Sequence, residues 1–318
     1  MDGIIAVNKP KNITSHDVVQ EVRNIIKDRK VGHFGTLDPM ATGLLLIAVG
    51  KATRLFPFFS DMTKNYKGLI RLGKTTDTYD ATGNQVGDES FSFPAEQDLL
   101  EGMRSFEGRI NQTAPPFSAK KHKGKPLYTF ARKNQDVAIK PHPVEIKYFQ
   151  LTAYDPPLLR FHVHCSSGTY IRSLAHELGQ KCGCGAHLSE LIRTRIGSYD
   201  LAVTQSLDEI QEHMDAQRIQ KFLIPLESLL PDFPKIIVTE TGRKRAQSGG
   251  IIQPVHVLDI QMNQNKQEYS SEENAVSRLF SPDGKLIAFA RMNPEKGGLH
   301  PFLVIDANNK STMNEEAK

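Results

Sequence analysis

No uninterrupted apolar run in this 318-residue chain is longer than LLLIAV at residues 44–49, far short of the roughly 20 residues that cross a bilayer as a helix. The opening residues, MDGIIAVNKP, have neither a basic start nor a long apolar stretch, so no secretory leader is expected. Cysteine is scarce and odd in number, three in all, which fits a reducing compartment better than a disulfide framework. The sequons at Asn12 and Asn111 then carry no meaning, and we expect a cytoplasmic protein. There is no G-x-G-x-x-G fingerprint and no G-x-x-x-x-G-K-[ST] loop, so neither a dinucleotide nor a nucleoside triphosphate is expected. Paired C-x-x-C spacing is also missing. Cys182, Cys184 and His187, with His164, Cys165 and His176 upstream, therefore make a poor zinc set.

Carboxylates are absent from one whole stretch. Between residues 111 and 135 there is no Asp or Glu, while Lys120, Lys121, Lys123, Lys125, Arg132 and Lys133 cluster among Phe117, His122, Tyr128 and Phe130. A net charge of +4 says little by itself. Its concentration among aromatics is what a phosphate backbone and its bases call for, with plain solvated surface as the alternative.

What is present is ordinary for a soluble globular protein: 39% hydrophobic and 24% charged residues, in a length that suggests two domains. A strand is expected at residues 3–7. Thr14 and Asp17 form a capping-box-like start to a helix whose apolar face is Val18, Val19, Val22, Ile25 and Ile26. Further helices are expected at 51–59, 94–106, from Ile171 through Leu178, at 186–191 and within 207–230. Strands are expected at 66–72, over the alternation Leu159, Phe161, Val163, Cys165, and at 197–203. Beyond Pro231 the texture changes to short strands at 236–238, 249–257, 286–291 and 302–305, split by a polar loop at 261–274. Residues 307–318 form a polar tail expected to be disordered.

The stretch around which the rest is organised is VGHFGTLDPMATGLLLIAVG, residues 31–50. Glycines and Pro39 surround a single carboxylate, Asp38, and a buried-looking strand follows as a stiff support. An Asp-Pro pair alone reads as a turn. The whole string G-H-x-G-T-L-D-P-x-A-T-G-x-L, however, resembles the signature of the TruB family of pseudouridine synthases. So do K-P-x-x-x-T-S at residues 9–15, with Asn12 replacing the usual Gly, L-G-x-x-T-D-T-x-D-x-x-G at 72–83, S-S-G-T-Y-I-R-S-L-A at 166–175, and L-x-R-T-x-I-G-x-Y at 191–199, with Ile192 replacing an Arg. Asn best tolerates positive φ after Gly, so the first turn should survive. Asp77 and Asp80 are read as turn caps, since two carboxylates are too few for a hard cation.

The resemblance implies an α+β catalytic domain over residues 1–231, a mixed, largely antiparallel sheet with flanking helices, carrying an RNA-gripping loop at about 111–145. A small PUA-like β-barrel would follow at 232–306. It also implies isomerisation of the T-arm uridine at position 55 of transfer RNA, without cofactor, metal or guide RNA, by a monomer. Asp38 would be the nucleophile or base, Arg172 its ion-pair partner, Tyr66 the residue stacked on the flipped base and a candidate for a proton transfer, and Leu191 an apolar wall. His33 would stack within the T loop, and Lys9, Lys120, Lys123 and Arg132 would contact RNA. Arg243, Lys244 and Arg245 would face RNA or form a solvated basic turn. Arg172, near a helix start, should answer to an anion, because a cation there opposes the helix dipole. The rival readings are a non-catalytic RNA-binding chaperone and a guide-dependent ribosomal RNA modifier.

Overall fold

The computed structural model describes residues 1–122, 124–133, 135, 137–262 and 276–306. The expected polar tail, most of the loop at 261–274 and Lys123 lie outside the described residues. The chain divides into two compact units. One comprises Ile5–Val49 and Leu55–Phe222; the other comprises Met1–Ile4, Gly50–Arg54 and the described chain from Leu223 onward.

The main strands of the principal sheet are β1 (Gly3–Lys9), β2 (Val31–Phe34), β3 (Thr42–Val49), β4 (Lys64–Leu72), β5 (Gly108–Gln112), β6 (His142–Asp155), β7 (Leu158–Cys165) and β8 (Ala186–Ile196). They lie in the order β1-β3-β8-β4-β7-β6-β5, with β2 hairpinned antiparallel onto β3. Pairings of β4 with β7 and β8, and of β6 with β5 and β7, are antiparallel, whereas β8 runs parallel to β3 at Ile192 and Arg193. The sheet is mixed and largely antiparallel.

Around it lie α1 (Ser15–Ile26), α2 (Glu96–Arg104), α3 (Ile171–Lys181) and α4 (Leu207–Asp215). The start of α1 is a capping box: Thr14 Oγ1 accepts from the Asp17 amide, and Asp17 Oδ2 accepts from the Thr14 amide. Its Val18, Val19, Val22 and Ile26 are buried. Each such side chain contributes on the order of 1.5–3 kcal/mol. Asn12 takes φ 70°, the left-handed turn its place in the motif calls for.

Three local readings are corrected. Residues 186–191 are strand, because Leu191 and Arg193 turn inward while Glu190 and Ile192 stay exposed, a two-residue period that a short run disguises. Residues 197–203 hold only a two-residue strand, Tyr199–Asp200. The Asp200 carboxylate then accepts from the Ala202 amide and starts a 3-10 turn. The stretch 249–257 is not a strand: Pro254 cannot donate to a ladder, and a 3-10 turn, Pro254–His256, occupies its end.

The smaller unit carries β9 (Lys235–Val238), β10 (Val257–Gln261), β11 (Val276–Phe280), β12 (Leu286–Asn293) and β13 (Gly298–Val304), in the order β10-β9-β11-β12-β13. Helix α5 (Glu240–Gln247) packs with Ala246 in the core formed by Ile236, Val238, Leu279 and Ile287. The basic trio is therefore on a helix and not in a turn. Arg243 pairs with Glu240 and Asp306 at 3.7 Å each, and Arg245 Nε donates to Ile251 O.

Gly43, the second residue of β3, fixes the junction on which the Asp38 loop rests. It sits at φ 99°, and a Cβ there would fall 2.4 Å from Arg193 O on the parallel strand β8. Gly43→Ala should therefore destabilise the protein by about 2 kcal/mol or more, read as a lower urea midpoint at unchanged m.

Candidate active site

Residues 35–41 join β2 to β3 and carry Asp38. Phe34, stacked on Phe59 with ring centroids 4.5 Å apart, anchors the strand from which the loop departs. The loop is gripped from one side by residues 9–15. Ser15 Oγ accepts from the Leu37 amide at 2.8 Å and donates to Leu37 O at 3.1 Å, while the Asn12 amide donates to Pro39 O at 2.8 Å. Lys9, expected to contact RNA, is instead wholly buried; its ammonium donates to the carbonyls of Pro10, Ile13 and Pro39 at 2.9, 2.6 and 3.2 Å. Burial pushes Lys9 down to about 8, against the attraction of Asp38.

From the opposite side the loop meets Arg193 of β8, 1% exposed. Its Nε donates to Leu44 O at 2.8 Å, Nη2 to Gly35 O at 3.0 Å and Nη1 to Thr36 O at 3.4 Å. The sequence reading gave Arg193 no role. The signal was its spacing of two from Leu191, which only a strand places on one face.

Asp38 itself is met head-on by Arg172. Nε donates to Oδ2 at 2.9 Å and Nη2 to Oδ1 at 2.8 Å, a two-point fork that fixes the carboxylate plane. The Arg172 side chain is 5% exposed and that of Asp38 31%, so the partner is sealed while the carboxylate stays open. Arg172 is the second residue of α3, where a cation opposes the helix dipole. It is held by Nη1, which donates to Thr78 O and Phe117 O at 3.1 Å each and lies 3.4 Å from Asp80 Oδ2. Asp80 uses its other oxygen as the expected turn cap, accepting from Thr78 Oγ1, the Thr82 amide and Thr82 Oγ1. Asp77 caps the same turn through the Asn84 amide. The start of α3 is fixed in turn by buried Gln112, whose side chain bonds both the amide and the carbonyl of Tyr170.

Asp38, Tyr66, Lys120, Arg172 and Leu191 line one cavity of about 390 Å³, together with Lys64 and Arg193. Pockets of this size accept small organic groups such as a nucleobase. Tyr66 is buried in the wall, and burial raises its phenol to about 12. Lys64, two residues away on the same face of β4, is lowered to about 8 by burial and then by Arg193; its Nζ donates to Ser60 O. Lys120 Nζ lies 3.0 Å from His142 Nδ1.

His33 lies on β2 and does not line this cavity; burial lowers its imidazole, and among the described residues its Nδ1 has no hydrogen-bond partner. Arg132 is exposed 5.4 Å over the Tyr128 ring, away from the lining. Ile192 is 40% exposed. Cys165 is buried and pushed up to about 12, an inert thiol. Among the described residues no group of three His, Cys, Asp or Glu side chains is placed to hold a metal, and no helix is long and apolar enough to cross a membrane.

The fold has counterparts in solved structures. The chain described as "Structure of H/ACA RNP bound to a substrate RNA containing 2'-deoxyuridine" superposes with a TM-score of 0.72 at 22% identity, over 96% of this chain and 86% of that one. A chain of the archaeal box H/ACA sRNP Nop10-Cbf5 complex gives 0.71 at 22%, over 96% and 87%. The architecture is that of the pseudouridine synthases. The TruB family pseudouridylate synthase N-terminal domain matches residues 23–171, and the tRNA pseudouridylate synthase B C-terminal domain matches residues 172–231. A tRNA pseudouridine synthase B of Solibacter usitatus is 42% identical over 78% of this chain and 85% of its own length. One of Thermotoga petrophila is 38% identical over 91% and 89%. The chain belongs to the TruB family of pseudouridylate synthases and is an isomerase.

Lys9 supplies a pH test. Between about 8 and the unfolded value of 10.5 the folded chain holds Lys9 neutral while the unfolded chain keeps its proton, so this group makes stability rise with pH across that window. Lys9→Met should remove that rise, and the stability lost by the variant should grow from pH 8 to 10.5 in urea titrations. A constant difference would show that Lys9 is protonated in the fold throughout.

Proposed function

We propose that this chain isomerises the T-arm uridine at position 55 of transfer RNA to pseudouridine, with Asp38 as its catalytic group. The reaction class follows from the family, and relatives at about 40% identity named tRNA pseudouridine synthase B support transfer RNA as the substrate. The observation that carries the site assignment is the Arg172 fork on an otherwise open Asp38 carboxylate, in a cavity also walled by Tyr66 and Leu191.

The isomerisation breaks the bond between uracil N1 and ribose C1′, turns the base, and joins C5 to C1′; N1 gains a proton and C5 loses one. A stacked uridine reaches such a cavity only when flipped out, at a cost of a few kcal/mol. Tyr66 and Leu191 offer flat and aliphatic walls for a base. Asp38, held in one plane, acts on the sugar or base as nucleophile or base. Lys64, Lys120, Arg172 and Arg193 make the cavity strongly cationic around that one carboxylate, which suits a polyanionic strand. The exposed Arg132 and the carboxylate-free stretch extend this charge outward, which supports a protein that grips its RNA without a guide.

The unit from residue 232 onward is read as a PUA-like RNA-binding barrel. The five-stranded order β10-β9-β11-β12-β13 and the exposed Lys244 are consistent with it. Monomeric action in the cytoplasm completes the proposal.

Asp38→Asn should abolish tritium release from C5-labelled uridine in an unmodified transfer RNA transcript, while RNA affinity stays within about threefold. Substantial residual turnover would remove Asp38 from the chemistry. Neutralising Lys120 and Arg132 together should weaken RNA binding and reduce the slope of log K against log salt by about one to two. An unchanged slope would return this stretch to plain surface.

A further inference from the structure

Lys120 reaches the cavity with its ammonium tied to an imidazole. His142 is the first residue of β6, opposite Gln112 of β5 in the ladder. Its Nε2 lies 3.0 Å from Gly168 O, and its Nδ1 lies 3.0 Å from Lys120 Nζ. A carbonyl only accepts, so Nε2 carries a hydrogen and donates it. An ammonium only donates, so Nδ1 is the bare nitrogen that accepts. Both partners therefore call for the same form of the ring, neutral with its hydrogen on Nε2. The ring stands edge-on to Tyr170, with centroids 6.0 Å apart at 87°, and Gln112 fixes the main chain of Tyr170 in turn. Lys120, Gly168 and Tyr170 line the cavity and His142 does not, so the imidazole acts from behind the wall.

We infer that His142 is a positioning residue that holds the Lys120 ammonium at the cavity, its charge uncancelled, to take a phosphate of the bound RNA strand. The inference rests on the RNA contact proposed above for Lys120. A carboxylate in place of the ring would hold the ammonium as firmly and neutralise it. A neutral imidazole fixes the long side chain and leaves its charge and its remaining hydrogens free for an anion. Ordering that side chain before RNA arrives removes part of the cost of binding. Among the described residues no carboxylate pairs with Lys120, as this role requires.

The test is the salt dependence of binding to an unmodified transfer RNA transcript, with melting temperature measured on each protein. His142→Ala should weaken affinity by about threefold to tenfold and lower the slope of log K against log salt by about one half to one, although it removes no lysine or arginine. Lys120→Met should do the same, and in its background His142→Ala should cost less than about twofold more. His142→Gln, whose amide offers one acceptor and one donor as the ring does, should bind within about twofold of the wild type. A His142→Ala protein with the wild-type slope would overturn the assignment. So would equal losses in both backgrounds, or a His142→Gln protein no better than His142→Ala. Where His142→Ala melts below the assay temperature, His142→Leu enters the same cycle; loss of folding in both would assign His142 to the scaffold and overturn the proposal. Tight wild-type binding that Lys120→Met leaves unchanged would overturn the Lys120 contact and this inference with it. A wild type that binds no transfer RNA would instead overturn the proposed function itself, a result separate from either arm of the cycle.

Discussion

The Asp38 loop depends on buried cations that bond its main chain. Residues 35–41 form the loop of the β2–β3 hairpin and have no ladder of their own, so their carbonyls need donors from elsewhere. Lys9 serves Pro39 from one side and Arg193 serves Gly35 and Thr36 from the other. Arg172 then takes the carboxylate itself. Burying each of these charges costs several kcal/mol before its hydrogen bonds are counted. A fold selected for stability alone would do as well with neutral donors. What the cations add is direction: a guanidinium fork is planar and rigid, and it leaves a carboxylate or a loop one place to stand.

That arrangement explains why distant motifs in the sequence share one site. Residues 9–15 do not reach the cavity, yet Ser15 and Asn12 set Leu37 and Pro39 through their hydrogen bonds. The turn at 76–84 does not reach it either; it delivers Thr78 O and Asp80 Oδ2 to Arg172. Asp80 does two jobs with two oxygens, one closing its own turn and the other balancing a cation near a helix start. Motif residues therefore fall into those that face the cavity and those that hold the residues facing it.

How much of this was legible in the sequence follows from which physics is local. The Thr14 capping box, the left-handed Asn12 and the buried strand behind Asp38 are decided within a few residues, and they read correctly. The pairing of Arg172 with an anion followed from the helix dipole. Residues 186–191 were read as helix because a short apolar run fits either period; that the segment lies between β3 and β4, where only a strand completes the ladder, is a tertiary fact. A helix ending at residue 191 leaves Arg193 outside any element, whereas the strand that runs through Ile196 puts Leu191 and Arg193 on one face. Lys9 as an RNA contact is what the family resemblance implies, and nothing local distinguishes a lysine that donates to three carbonyls. The alternation Lys64, Tyr66 was there to be read, but a lysine on a buried strand face carries meaning only once the cavity beside it is known.

The cavity's charge balance bears on what chemistry it can host. Asp38 is the one carboxylate among its lining residues, against Lys64, Lys120, Arg172 and Arg193. Acid–base catalysis by two carboxylates would need a second, whose ionisation is shifted by the first; the nearest candidate, Asp80, is 5% exposed and faces Arg172. Burial holds the Tyr66 phenol protonated near neutrality, so it offers no second anion beside Asp38. Lys64, lowered to about 8, is the cavity cation nearest to a change of state in the neutral range. With one carboxylate among its lining residues and cations around it, the cavity is not built for catalysis by a carboxylate pair, and an isomerisation that moves the ribose bond from N1 to C5 of the same uracil has no need of one.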